Sequence, residues 1–275
     1  MLCIAGKNNI AVDVAKHILD FYPNVNLVGI TVQNDDGIDK WQKSYKKFLR
    51  ERDIPEVSLE SIYDHEDLIF LSLEFDRIIV PKKYKSNRLF NIHFSLLPKY
   101  RGMYTSALPI LNNEKETGVT LHYIDQGIDT GNIIDQIKFP IEFTDTAKDL
   151  YKKYISNGTK LIISWVPKLL DRFSFIEGVE QDYLQASYYG KKSIDYHNLK
   201  IDLNQCAVNI YNQIRAFHFR EYQLPVVEGM KIFSCEITEK RSVHKPGTII
   251  DRNDNSLEIA TIDYNVFLHF DRFDE

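Results

Sequence analysis

Asn91, His93 and Asp129 combine residue types and spacings that could carry acid–base chemistry. Asn91 and His93 stand two apart in Asn91-Ile92-His93-Phe94-Ser95-Leu96-Leu97-Pro98-Lys99-Tyr100-Arg101-Gly102, where an apolar approach ends in polar residues and a proline turn follows. On a strand that spacing puts both side chains on one face. The amide supplies hydrogen bonds, and the imidazole, with an unperturbed pKa of about 6.5, supplies a base. A second polar turn, Asp125-Gln126-Gly127-Ile128-Asp129-Thr130-Gly131, could bring a carboxylate to the imidazole. Each feature alone is weak, because a lone histidine in a buried strand is usually a core residue with its hydrogen bonds met. The combination is specific.

Such side chains need a sheet to hold them. Residues 1–5 form an apolar run ending at Gly6, residues 11–19 carry Val12, Ala15, Ile18 and Leu19 at helical spacing, and residues 25–32 form a second apolar run. A strand, a helix and a strand in so short a span imply a parallel sheet. The Gly6-Lys7-Asn8-Asn9 turn falls at the carboxyl end of the first strand, where open α/β sheets bind ligands. It lacks GxGxxG, which excludes a dinucleotide fingerprint. Residues 37–52 place Trp41, Tyr45, Phe48 and Leu49 at helical spacing, which predicts a surface helix. Strands are expected at 68–73, 87–94, 119–124 and 133–139, and a short helix at 105–111 packing under the sheet. Thr144-Asp145-Thr146 resembles a cap before a helix with Ala147, Leu150, Tyr151 and Tyr154, and a separate amphipathic helix is expected over 161–173. Beyond Glu180 the chain turns tyrosine-rich and polar. Residues 188–196 read as a linker, 204–216 as a helix, and five short β-like pieces follow between 226 and 270. The reading is an α/β domain over 1–180 and a smaller β-rich domain over 181–275.

The chain has 275 residues, 27% of them charged, and a net charge of −5, so nothing global argues for nucleic acid or an anionic membrane. Three cysteines, none in a CxxC pair, argue against a disulfide framework. No basic leader and no stretch of membrane-spanning length is present, so a cytoplasmic location is the default expectation. His93, His122 and Asp129 are possible metal ligands, but no HxxxH or HxH accompanies them. His122 reads instead as a core or sheet-facing residue, and no metal is expected.

Asn91, His93, the Ser95-to-Gly102 segment and Asp129 in Asp-Thr-Gly resemble the formyltransferases that use 10-formyltetrahydrofolate. The resemblance is strongest over 68–154 and looser elsewhere. It implies a Rossmann-like, mostly parallel sheet in the first domain and 10-formyltetrahydrofolate as co-substrate. It also implies roles. Asn91 would donate to the developing oxyanion. His93 would take the proton of the attacking amine, or shuttle protons within the tetrahedral intermediate. Asp129 would hold the His93 tautomer and favour its charged form. The loop with Phe75, Arg77, Ile78 and Ile79 would form the pterin pocket, the two isoleucines its apolar wall, with Asp125 and Gly127 beside the folate. Lys7 and Asn8 would touch substrate phosphate or sugar. Lys82, Lys83, Lys85, Arg88, Lys99 and Arg101 would form a basic rim for anionic ligands.

Residues 214–225 resemble the corresponding stretch of nucleotide-sugar N-formyltransferases, with Phe217 and Tyr222 as faces for a pyrimidine and Arg220 for a diphosphate. Residues 191–275 hold eleven Lys or Arg against thirteen Asp or Glu, a poor surface for tRNA. Glycinamide ribonucleotide enzymes of this type have no such second domain. The expected activity is therefore formyl transfer to the amine of a dTDP-linked 3- or 4-amino-dideoxy sugar, for surface polysaccharide or glycan synthesis. The alternatives are a methionyl-tRNA formyltransferase and a non-catalytic folate- or nucleotide-binding protein. A homodimer is expected from the apolar strand at 232–237.

Overall fold

The computed structural model describes residues 1–272. Its principal sheet comprises β1 (Leu2–Gly6), β2 (Leu27–Thr31), β3 (Ile69–Leu73), β4 (Leu89–His93), β6 (Glu116–Tyr123) and β7 (Ile133–Pro140). A two-residue strand β5 (Arg101–Gly102) lies between β4 and β6 in the chain and pairs with β8 (Tyr188–Tyr189). The order across the sheet is β2-β1-β3-β4-β6-β7. β2, β1, β3 and β4 pair in parallel, and β6 joins β4 antiparallel. β1 and β3 are buried along their whole length, which is why they read as continuous apolar runs rather than alternating ones. The chain leaves β1 toward β2 on one side and reaches β3 on the other, so the carboxyl ends of β1 and β3 flank the crevice where such sheets take ligands.

Helix α1 (Asn8–Phe21) buries Ile10, Ala11, Val14, Ala15 and Ile18. The long surface helix expected over 37–52 is only α2 (Tyr45–Glu51). Asp35 and Asp39 explain the shortening. Asp35 Oδ1 accepts from Gly37 N and Ser44 Oγ, and Asp39 Oδ1 accepts from Ser44 N. Aspartates bonding the local backbone favour turns over helix. Ser44 then caps α2 by accepting from Lys47 N at 3.0 Å. The two helices expected over 147–173 are one, α4 (Ala147–Leu170). Gly158 lies within it, where a Cβ would meet Ile10 at 3.0 Å and Phe94 at 3.4 Å. The glycine lets the helix approach its neighbours closely and does not end it.

The chain falls into two compact units, and the division is not a single cut. The first contains residues 1–102, 118–139 and 153–188, and the second contains 103–117, 140–152 and everything from Tyr189 onward. α3 (Leu108–Leu111) is four residues long and packs with α5 (Ala207–Ala216) in the second unit. That unit also holds β9 (Val226–Val227), β10 (Met230–Arg241), β11 (Ile249–Arg252), β12 (Ser256–Ile259) and β13 (Tyr264–Phe270), in the order β11-β12-β13-β10-β9. Its core is Ala207, Ile210 and Ile214 of α5 against Val227, Ile232, Leu257, Ile259, Val266 and Leu268. Ile232 therefore faces this core, and Phe233 is the apolar side chain of the segment that reaches solvent. Among the described residues no helix is long and apolar enough to cross a membrane.

Candidate active site

β4 ends in Asn91 and His93. Its antiparallel neighbour β6 sets His122 opposite Asn91 and Thr120 opposite His93. Opposed residues on an antiparallel pair share a face, so Asn91, His93 and His122 project together. The turn at 125–131 returns Asp129 to them. Asp125 Oδ1 shapes that turn by accepting from Gly127 N at 3.0 Å and Thr130 Oγ1 at 2.6 Å. Gly131 lets the turn close, since a Cβ there would lie 1.8 Å from the Tyr123 carbonyl oxygen. Asp129 sits at φ 55°, the left-handed region that aspartate tolerates better than most residues.

The two carboxylate oxygens of Asp129 have different partners. Oδ2 accepts the Gly102 N–H at 2.9 Å and lies 3.5 Å from His93 Nδ1. Oδ1 accepts from Asn91 Nδ2 at 3.4 Å and lies 3.6 Å from His122 Nε2. Burial alone would raise the Asp129 pKa. The charge of His93, the His122 contacts and the Gly102 N–H outweigh it and hold the carboxyl well below the usual carboxylate range. It is ionised at neutral pH.

The hydrogen bonds assign the ring nitrogens. His93 Nε2 lies 2.8 Å from the Tyr100 carbonyl oxygen, a position only an N–H can fill, so Nδ1 is the nitrogen turned to Asp129. The tautomer is thus set by a backbone carbonyl, while the expected partner, Asp129, faces the other nitrogen. His122 donates from Nδ1 to the Tyr123 carbonyl at 2.7 Å, and its Nε2 accepts from Asn91 Nδ2 at 3.0 Å. His122, read from sequence as core or sheet-facing, is buried, and its ring also orients the Asn91 amide. A cation is poorly served here. The Gly102 N–H and the Asn91 amide both point hydrogens at the Asp129 carboxylate, and the Asn91 amide also occupies the His122 Nε2 lone pair.

The remaining expected site residues are dispersed. Lys7 N donates to Leu73 O, and Asn8 Nδ2 donates to Glu74 Oε2 at 3.2 Å, across the ends of β1 and β3. Phe75 is partly buried on the core under the Arg77 guanidinium, 4.9 Å from its ring centre. Ile79 is buried in that core and Ile78 is exposed, so the two isoleucines do not form one wall. Asp125 and Gly127 shape the Asp129 turn, as described. Phe217, Arg220 and Tyr222 belong to the second unit. Phe217 is buried and Tyr222 exposed. Arg220 is drawn into an ion pair with the buried Asp271 and lies over Phe233 at 5.7 Å, which spends its guanidinium on the scaffold. The basic rim is also thinner than expected. Arg101 is buried, and Arg88 donates to the Leu169 and Asp171 carbonyls.

The chain that carries this site has known relatives. Residues 33–166 match the family model described as formyl transferase, and residues 193–269 match the formyl transferase C-terminal domain. The chain belongs to the formyltransferase family. It is 44% identical to WlaRD, a sugar 3N-formyl transferase solved in the presence of dTDP and 5-N-formyl-THF, with a TM-score of 0.90 over 98% of this chain and 97% of that one. It is 43% identical to the N-formyltransferase of Helicobacter canadensis, solved with folinic acid and dTDP-3-aminofucose, with a TM-score of 0.90 over 98% of this chain and 99% of that one. The methionyl-tRNA formyltransferase of Halalkalibacterium halodurans is 30% identical over 76% of this chain and 66% of its own length. The formyltransferase domains and the α/β architecture with a β-rich second region agree with the expectation from sequence.

Proposed function

We propose that this enzyme moves the formyl group of 10-formyltetrahydrofolate to the amine of a dTDP-linked amino-dideoxy sugar. The observation that carries the reading is identity of 43–44% along almost the whole length of two sugar N-formyltransferases, against about 30% over part of a methionyl-tRNA enzyme. The acidic balance of residues 191–275 supports it, because tRNA binding draws on phosphate neutralisation.

The chemistry follows from the cluster. An amine attacks only after losing its extra proton. His93 Nδ1 takes that proton, and the resulting imidazolium lies against the Asp129 carboxylate. The amine nitrogen bonds to the formyl carbon, and charge gathers on the formyl oxygen. Asn91 Nδ2 has one long contact, 3.4 Å to Asp129, and that hydrogen turns to the oxyanion while His122 keeps hold of the other. The attacking nitrogen, now cationic, loses its second proton to solvent, the C–N bond to the folate breaks as the carbonyl re-forms, and the leaving nitrogen takes the proton held by His93. We read the protein as cytoplasmic, because folate one-carbon carriers are intracellular co-substrates. We also read it as a homodimer, supported by the exposed Phe233 on β10, and as a contributor to surface glycan synthesis.

The test is a panel of acceptors with the folate donor, scored by mass for an added formyl group. Formylation of dTDP-linked 3- or 4-amino sugars without tRNA supports the reading. Formylation of methionyl-tRNA alone rejects it.

A further inference from the structure

Gln181 lies outside the Asn91, His93, His122 and Asp129 cluster, yet its amide is fully used, Nε2 on the backbone that holds that cluster and Oε1 on the Arg101 guanidinium. It is 3% exposed. Its Nε2 donates to the Asp129 carbonyl at 2.9 Å and to the Gly131 carbonyl at 2.7 Å. Its Oε1 accepts from Arg101 Nε at 3.1 Å and Nη2 at 2.8 Å. Arg101 is 6% exposed and leaves Gly102 next in the chain, whose N–H holds Asp129 Oδ2. The two arms that meet at the Asp129 carboxylate, its own turn and the Arg101–Gly102 strand, are therefore joined a second time through one side chain. The segment after Gln181 reinforces the second arm. Ser187 Oγ accepts from Tyr100 N at 2.8 Å, and Ser187 O accepts from Arg101 N at 2.9 Å. Tyr100 is the residue whose carbonyl fixes His93.

We infer that Gln181 is a positioning residue for formyl transfer, setting where the Asp129 carboxylate stands relative to His93. The inference rests on the proposed activity, but the geometry it describes does not. A primary amide is the one neutral side chain of this size that donates twice and accepts twice. Glutamate in its place keeps the acceptor for Arg101 and sets carboxylate oxygen against two carbonyls. A charged-pair scaffold would tolerate that change. A positioning role would not.

The test compares wild type, Gln181→Ala and Gln181→Glu. Misplacing a catalytic group by about 1 Å costs on the order of 100-fold in rate. Both variants are expected to lose about 10- to 100-fold in kcat with folate KM within about twofold, and the same change made in an Asp129→Asn background is expected to cost less than about threefold. Equal losses in both backgrounds, or a Gln181→Glu enzyme with wild-type kcat, would overturn the inference. A crystal structure of Gln181→Glu decides it without turnover. A lost Asp129–Gly102 contact upholds the role, and a retained one overturns it. If the wild type formylates no nucleotide-linked amino sugar, the proposed activity fails and the structural readout still judges Gln181.

Discussion

Replacing Asp129 by asparagine tests the electrostatic core of the site. The substitution keeps the size of the side chain and removes its charge. Asp129 Oδ2 is 3.5 Å from His93 Nδ1. With an effective dielectric constant of about 20, Coulomb's law gives roughly 5 kcal/mol for an imidazolium at that separation, an upper bound because the carboxylate has already been partly desolvated. The net worth of a contact between buried charged groups is typically about 1.5 to 4 kcal/mol, and each 1.4 kcal/mol is about tenfold in rate. The transition state holds that proton on His93, so kcat should fall by roughly 10- to 1,000-fold. The hydrogen bonds point the same way. Both carboxylate oxygens accept, Oδ1 from Asn91 and Oδ2 from Gly102. An asparagine satisfies one and turns an N–H against the donors at the other. Steady-state kinetics with the folate donor and a dTDP-linked amino sugar read the effect. An Asp129→Asn enzyme within about threefold of wild-type kcat would refute the reasoning.

The same carboxylate predicts an acid dependence of stability. Its folded pKa is below the ordinary value of about 3.9, so its contribution is complete above roughly pH 5 and is lost as pH falls toward the folded value. The gap in unfolding free energy between wild type and Asp129→Asn should hold from pH 8 to 5 and narrow toward pH 3, and a gap constant across that range would contradict it. Gly131→Ala puts a Cβ against the Tyr123 carbonyl, so it should cost about 1–3 kcal/mol in stability and lower kcat as Asp129 moves, and calorimetry and kinetics both unchanged would count against the packing argument. Arg220→Gln should lower stability by about 1–3 kcal/mol, because Asp271 is left buried without its partner, with acceptor KM within about threefold. A tenfold rise in that KM with unchanged melting would return Arg220 to the diphosphate.

The parallel strands and the meeting of Asn91, His93 and Asp129 were legible because their signals are local. A short apolar run bounded by turn residues reads as a buried strand, and an Asn-x-His on a strand keeps its shared face in any register. His122 was not legible in that way. Its place beside Asn91 comes from antiparallel pairing across 31 positions of chain, which no window of sequence displays. The Tyr100 carbonyl and the Gly102 N–H were hidden for another reason, since they are backbone groups and side-chain patterns are silent about them. Arg101 reads as a rim cation until Gln181 is seen to bury it.

Proton removal by His93 from the attacking amine is the step on which the account stands. The direct measurement is turnover of a His93→Asn enzyme, scored by mass for formylated dTDP-linked amino sugar, alongside its affinity for the folate donor. Loss of turnover by at least about 100-fold with folate still bound is the predicted result. Turnover close to that of wild type would contradict it.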